Sequence, residues 1–393
     1  MGLLLLCNGG FMILSAIVSG LYNDGATLEI SFAGITTIFV GILLMYGTKN
    51  HKKEIKKREG YMIVSFGWVF MTISGMLPYL FTGSIPSVTN AFFETMSGYT
   101  TTGASILNDI EVLPEGILFW RSTTHWIGGM GIIVLAIAIL PLLGIGGMQL
   151  FAAEAPGPSA DKLHPRITDT AKRLWFIYVG YTLAETLLLK LAGMSFFDAI
   201  NHAMATLSTG GFSTKNASLA YWNDNPLIQY IVIFFMFVAG ANFVLSYFAF
   251  KGKVQKVIND YEFRFYGLLV LCVSIVAALV IYFKANVPIS EYHPMVLGAA
   301  ESSLRHALFQ VISVITTTGF VTADYTSWTP FLTIVFFGLM FVGGSAGSTA
   351  GGVKVVRHLL MIKNGLLEFK RTLHPNAIIP VRYNGKTVSE NII

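Results

Sequence analysis

Three short stretches of threonine, serine and glycine interrupt an otherwise apolar chain. They read Ser-Gly-Tyr-Thr-Thr-Thr-Gly-Ala-Ser (97–105), Thr-Leu-Ser-Thr-Gly-Gly-Phe-Ser (206–213) and Ile-Thr-Thr-Thr-Gly-Phe-Val (315–321). Read on Gly103, Gly210 and Gly319, successive copies lie 107 and 109 residues apart. These residue types offer oxygen ligands: backbone carbonyls around Thr101, Thr102, Gly103, Thr209, Gly210, Thr317, Thr318 and Gly319, and threonine hydroxyls beside them. Rings of such carbonyls replace the hydration shell of a cation in ion filters. Glycine permits the dihedrals that turn a carbonyl toward an axis and leaves no side chain in the way. One Thr-Thr-Thr-Gly is a weak signal, because Gly and Thr also serve close helix contacts in membranes. Three copies at equivalent places point to a cation pore.

The elements that must position these stretches are membrane spans. Hydrophobic residues are 54% of the 393, charged residues only 12%, and the mean hydropathy is +0.64. Soluble domains carry roughly 25% charged residues, so the composition is that of an integral membrane protein. A spanning helix needs about 20 apolar residues. Candidate spans are 2–22, 27–47, 61–82, 117–144, 174–194, 226–250, 263–284 and 330–361. The first lacks a basic leading region and a second follows at once, unlike a cleaved signal. All Lys and Arg except Arg121, Lys190, Lys215, Lys284 and Arg305 fall in one set of loops and the C-terminal segment. The positive-inside rule puts those loops, and the N-terminus, in the cytoplasm. Cys7 and Cys272 have neither metal-ligand nor disulfide-framework spacing.

The expected fold is an all-α membrane protein of repeated span, pore helix, span units. A two-helix preface and basic loop occupy 1–60. Unit 1 takes 61–160, unit 2 takes 161–260, and unit 3 takes 261–365. Residues 366–393 read as a cytoplasmic connector. Each unit carries an amphipathic helical start of about ten to twelve residues, too short to span, before its Thr-Gly stretch. Irregular backbone at membrane depth is tolerated only inside protein or against water, so three such breaks imply one aqueous axis. The outer side carries Asp24, Glu29, Glu94, Asp109, Glu111, Glu115, Asp198, Asp224, Glu291, Glu301 and Asp324. Such a field concentrates cations; Glu94 and Asp198, on the pore helices, are the better candidates, with ordinary solvated loops the alternative. Glu185 sits mid-span, where a carboxylate is either functional or a structural partner.

The last span is unusual. It holds Gly343, Gly344, Ser345, Gly347, Ser348, Gly351, Gly352 and Lys354 in one stretch. Each glycine costs a helix about 1 kcal/mol relative to Ala, so the stretch is expected to break and to form a gate under the filter; a helix-packing surface is the alternative. It lacks the Gly-Lys-Ser/Thr ending of a phosphate loop, and Gly128-Gly-Met-Gly131 follows no strand. The eight His form no metal motif, His125 has no matching ligand set, and Asn216-Ala-Ser218 is a sequon of the kind that occurs by accident. No enzyme and no tightly bound organic cofactor are expected.

The three Thr-Gly stretches, Ala239-Gly-Ala-Asn-Phe243 and especially Gly343–Arg357 resemble the Trk/Ktr/HKT superfamily of potassium transport proteins, nearest the bacterial TrkH type. The resemblance covers essentially the whole chain. It implies four units around a pseudo-fourfold pore, with potassium as the substrate at filter carbonyls and the 343–352 loop as an intramembrane gate. It also implies a homodimer in the lipid bilayer of the cell inner membrane, resting on a cytosolic nucleotide-binding regulatory subunit, with no nucleic-acid partner. Gly at all three visible filter positions leans to potassium over sodium. A fourth copy would fall past residue 393, so the fourth unit is expected to be missing by truncation. A sodium or ammonium conductor, or a non-conducting scaffold or regulatory subunit, is the alternative function.

Overall fold

Apolar runs become helices here because backbone polar groups in lipid must be satisfied within the segment. The computed structural model describes residues 1–48, 57–131, 167–284, 295–374, 379–384 and 386–388. The helices are α1 (Gly2–Tyr22), α2 (Thr27–Gly47), α3 (Lys57–Gly75), α4 (Leu77–Phe81), α5 (Val88–Tyr99), α6 (Glu115–Gly129), α7 (Ile167–Leu191), α8 (Phe196–Leu207), α9 (Pro226–Ala239), α10 (Phe243–Phe250), α11 (Val254–Ile258), α12 (Tyr261–Lys284), α13 (Ala299–Ile315), α14 (Pro330–Leu339) and α15 (Val355–Leu373). A two-residue antiparallel pair, β1 (Arg382–Tyr383) with β2 (Lys386–Thr387), ends the described part. Among the described residues, five helices are long and apolar enough to cross a membrane, or six if α9 and α10 count as one bent span. The expected inner half of span 117–144, the basic loop through Lys162 and Arg166, and Glu291 lie outside the described residues.

The chain gathers into two units. One holds α1–α8 with residues 318–320. Its first two helices touch through glycine: a Cβ on Gly9 would lie 2.8 Å from the Gly34 carbonyl oxygen, and one on Gly41 2.9 Å from that of Gly2. Small residues are what let membrane helices approach this closely. Gly34→Val is therefore expected to cost about 1–3 kcal/mol by overpacking, read as a lower melting midpoint in detergent. Gly10→Val, whose Cβ would meet nothing within 4 Å, is the silent control; equal melting of the two variants would refute the contact.

The preface is part of this unit's core. Met12, Met71, Tyr79, Tyr99 and Trp120 form one buried cluster. Asn8 of α1 donates to Ser74 Oγ at 2.8 Å and accepts from the Tyr99 hydroxyl at 2.5 Å. Trp120 Nε1 donates to the Gly75 carbonyl at 2.9 Å.

The other unit holds α9–α15 and the β pair. Span 226–250, expected as continuous, is bent by 106° between α9 and α10. Asn242 takes extended backbone at the break, and its side chain accepts from the Val244 N–H as the cap of α10. A helix start needs such a cap because its first N–H groups have no internal partner. Span 330–361 is likewise interrupted, between α14 and α15, at the glycine stretch.

The three short helices agree with expectation in two cases. Helices α5 and α8 have 12 residues each, started by Ser87 and Ser195 as N-caps. Helix α13 runs to 17 residues from Gly298. Ser303 occupies the corresponding place, yet its hydroxyl donates to the Ala299 carbonyl inside the helix. Without that cap, nothing stops the helix from starting earlier.

Candidate functional site

Helices α5, α8 and α13 end alike. The C-caps are Thr100, Ser208 and Thr316. The next residue in each case is a threonine in the left-handed region: Thr101 at φ 52°, Thr209 at φ 54° and Thr317 at φ 57°. Two residues later comes a glycine, also left-handed: Gly103 at φ 75°, Gly211 at φ 80° and Gly319 at φ 81°. Both sets recur every 108 residues (209 − 101 and 317 − 209).

This corrects the register of the second copy. Gly211, and not Gly210, corresponds to Gly103 and Gly319. Gly210 takes the place of Thr102 and Thr318.

The turn closes in the way helix ends commonly do. In the first, Thr101 N–H bonds the Gly98 carbonyl and Thr102 N–H bonds that of Ser97; in the second, Thr209 N–H bonds Thr206 and Gly210 N–H bonds Ala205. This double bond pattern normally places Gly at the left-handed position. A β-branched residue there is an outlier, costing about 1–3 kcal/mol where the surroundings hold it. The hydroxyls of Thr101 and Thr209 donate to the preceding carbonyls at 2.8 and 2.7 Å, which offsets part of that cost.

Gly103, Gly210, Gly211 and Thr318–Phe320 belong to one unit. A Cβ on Gly103 would run into the Gly210 carbonyl oxygen, and one on Gly211 into that of Thr318. The turns therefore lie side by side, first against second and second against third. Thr102 and Gly319, at the two ends of this row, are exposed, and a Cβ on Gly319 would meet nothing within 4 Å.

Buried polar side chains brace the strands that leave the turns. Glu94 of α5, fully buried, accepts from Ser105 Oγ at 2.9 Å and from the Ile106 N–H at 3.0 Å. Arg121 of α6 donates to Glu94 through Nε at 3.0 Å and Nη2 at 2.9 Å, and through Nη1 to the Ser213 carbonyl at 3.3 Å. Its guanidinium also lies 4.1 Å from the Phe212 ring centroid. One side chain thus ties the first leaving strand to the second. His202 stands where Glu94 stands in the first copy; Nδ1 faces the Asp198 carbonyl at 2.7 Å and Nε2 faces Ser213 Oγ at 2.9 Å. A carbonyl can only accept, so Nδ1 is the donor and Nε2 accepts from serine. In the other unit Gln310 donates to Thr322 Oγ1 at 3.4 Å, with His306 Nδ1 at 3.0 Å.

Several residues read as a cation field are thus otherwise engaged. Glu94 is spent on Arg121. Asp198 accepts from Ser195 and Thr214 hydroxyls at 2.6 and 2.5 Å. Glu301 pairs with Arg305 at 2.7 Å. Asp109 and the Ile110 N–H hold the Asn216 amide of the sequon at 2.8 and 2.7 Å. Glu185 is buried on α7 beside Thr206. His125 has a role the sequence did not suggest: its ring stacks on Phe212 at 3.9 Å, and a Cβ on Gly210 would strike that ring. Among the described residues, no group of three or more His, Cys, Asp or Glu could hold a metal ion.

The glycine stretch is an irregular loop tied on several sides within its unit. Gly351 N–H donates to Thr317 Oγ1 at 2.7 Å, so the loop bonds directly to the left-handed threonine of the third turn. Ser345 N–H donates to the Gly240 carbonyl at 2.8 Å, and Phe243 N–H to that of Gly347 at 3.1 Å. Gly343 N–H bonds Val353, and Val355 N–H bonds Gly344, which closes the loop's neck. Gly347 and Gly352 are left-handed at φ 74° and 70°, and Gly347 lies against the Asn242 side chain. Ser348 Oγ donates to the Ser345 carbonyl at 2.6 Å, and Lys354 Nζ to that of Ala350.

Spanning helices with strained turns held inside protein define a multi-pass helical membrane protein. Comparison then places it. The family described as "TrkH: Cation transport protein" matches residues 28–393, and the chain belongs to that family. It is 42% identical over 395 residues to the Trk system potassium uptake protein TrkH of Salmonella typhimurium, covering 100% of this chain and 80% of the relative. The TrkG protein of Escherichia coli is 37% identical over 387 residues, covering 97% of this chain and 77% of the relative. Among solved structures, the crystal structure of the potassium transporter TrkH from Vibrio parahaemolyticus matches with a TM-score of 0.83 at 38% identity. That match covers 98% of this chain and 78% of the other.

Proposed function

We propose that the chain takes up potassium across the bacterial inner membrane through a carbonyl-lined filter above a movable loop. The observation that carries this reading is the side-by-side row of three strained Thr-Gly turns, 108 residues apart. Carbonyls around Thr101–Gly103, Thr209–Gly211 and Thr317–Gly319 replace water around the ion. The relatives' names supply the identity of the ion. A pseudo-fourfold ring, in which a further strand meets the row at Thr102 and Gly319, is part of this reading, and the exposure of those two residues supports it. Membrane potential drives the ion inward, at about 2.3 kcal/mol per charge per 100 mV.

The loop from Gly343 to Gly352, with Ser345, Ser348 and Lys354, is the gate. Its bond to Thr317, the left-handed residue of the third turn, supports this reading. The N-terminus lies in the cytoplasm, on the side of the basic loops. The working assembly is a homodimer with a cytosolic nucleotide-binding regulatory subunit.

The test is growth and Rb⁺ uptake in a bacterial strain without potassium uptake, on low-potassium medium. The chain is expressed alone and together with the part of the Salmonella relative that it does not cover. Rescue, with Rb⁺ uptake displaced by K⁺ and not by Na⁺ or NH₄⁺, is the expected result. Displacement by Na⁺ or NH₄⁺ would move the reading to another cation, and failure of both forms despite membrane expression would leave a non-conducting subunit. Deleting Gly347–Gly351 in the conducting form is expected to raise flux severalfold; unchanged flux in a folded protein would sink the gate.

A further inference from the structure

Glu262 stands at the start of α12 and is almost wholly buried, at 4% exposure. A buried carboxylate must be paired or hydrogen-bonded. Its Oε1 accepts from the Ala346 N–H at 2.7 Å and from the Val356 N–H at 3.2 Å. Those two amides are the shoulders of the glycine loop, one just inside its neck and one on the first turn of α15. One oxygen thus fixes the loop's chord, and losing it frees both shoulders together. Its other oxygen accepts from the Tyr383 hydroxyl at 3.4 Å.

The surroundings carry this contact outward. Val356, Leu360 and Val381 form a small buried cluster, with Ala346 and Tyr383 packed against it. Asn384, between β1 and β2, accepts from the Tyr261 N–H at 3.0 Å and donates to Asp260 at 2.7 Å. The β pair therefore sits on the same helix start that holds the loop.

We propose that Glu262 is a positioning residue for transport: its carboxylate latches the glycine loop, and Tyr383 seats that carboxylate from the β pair. This rests on the reading of the loop as a gate, and the experiment separates the two. Amide hydrogen exchange by mass spectrometry is followed on peptides spanning 343–357 in the wild type, Glu262→Ala, Glu262→Gln and Tyr383→Phe. Removing the one oxygen that serves both amides leaves the buried Val356 N–H and the part-buried Ala346 N–H unpaired, which carries their desolvation penalty, so Glu262→Ala should raise exchange there about tenfold or more, with peptides of α1 and α2 unchanged. Glu262→Gln keeps an oxygen acceptor and should fall between the two. Tyr383→Phe should raise exchange by a few-fold. Wild-type exchange in Glu262→Ala, or a rise spread evenly over both units in Glu262→Gln, overturns the latch. Rb⁺ uptake is measured on the same proteins. A higher maximal rate at unchanged apparent affinity supports latch and gate together. Faster local exchange with unchanged flux keeps the latch and removes the gate.

Discussion

Gly211→Ala is expected to abolish ion uptake, with a loss on the order of 100-fold in Rb⁺ flux at normal membrane expression. Two effects combine at this position. The residue is left-handed, at φ 80°, which costs a side chain about 1–2 kcal/mol. Its Cβ would also lie deep inside the Thr318 carbonyl oxygen, so that carbonyl must move by an ångström or more. Displacement of that size at a reacting centre costs about 100-fold, and a filter carbonyl is subject to the same geometric demand. Gly103→Ala should behave alike, because its Cβ would enter the Gly210 carbonyl. Gly319→Ala meets nothing within this chain, but it carries the dihedral strain and would also face the fourth strand of the proposed ring, so a loss of at least about tenfold is expected there.

Gly210 separates the two registers. It is not left-handed, and its Cβ would strike the His125 ring. A Gly210→Ala defect should therefore be partly relieved by His125→Ala, whereas no change at His125 should relieve Gly211→Ala. Normal uptake by Gly211→Ala, beside a Gly210→Ala defect that His125→Ala leaves untouched, would restore the Gly210 register.

That ambiguity shows where the sequence stops being legible. Spans can be read because lipid imposes about 20 apolar residues per crossing. Turns can be read because they repeat. The one-residue slip in the second copy arises from Thr209-Gly210-Gly211, where two glycines compete and only the dihedral decides. No propensity rule would put Thr101, Thr209 and Thr317 in the left-handed region, since β-branching disfavours it. The break at Gly240–Asn242 was hidden because hydropathy stays high from 226 to 250. Its signal was Asn242 as a helix cap. The β pair near the C-terminus had a clear signal in Asn384-Gly385, a strong two-residue hairpin pattern, which a reading of 366–393 as plain connector passed over. Partners far apart in sequence, such as Arg121 and Glu94, or Glu262 with Ala346 and Val356, appear only when the helices are in place.

Arg121→Met is expected to destabilise the protein by about 3–5 kcal/mol, because removing one partner leaves the other as an uncompensated buried charge. The side chains of the pair are 1% and 0% exposed, which puts it in the regime where this penalty applies in full. Glu94→Leu should cost a similar amount, by leaving the guanidinium, among the described residues, with Ser213, Ser105 and the Phe212 ring. The double variant Glu94→Leu/Arg121→Met removes both charges at nearly constant volume. Such replacements are often neutral for stability, so its melting midpoint in detergent should return toward the wild type. Transport should not return with it. Ser105 and Ile106 lose the carboxylate they donate to, and the Ser213 carbonyl loses the guanidinium, so the first two leaving strands lose their buried tie next to the turns and keep only the exposed one through Asn216. The separation of recovered stability from lost Rb⁺ uptake would identify the pair as a brace of the filter. A single Arg121→Met that melts like the wild type, or a double variant with normal uptake, would leave the pair without that role.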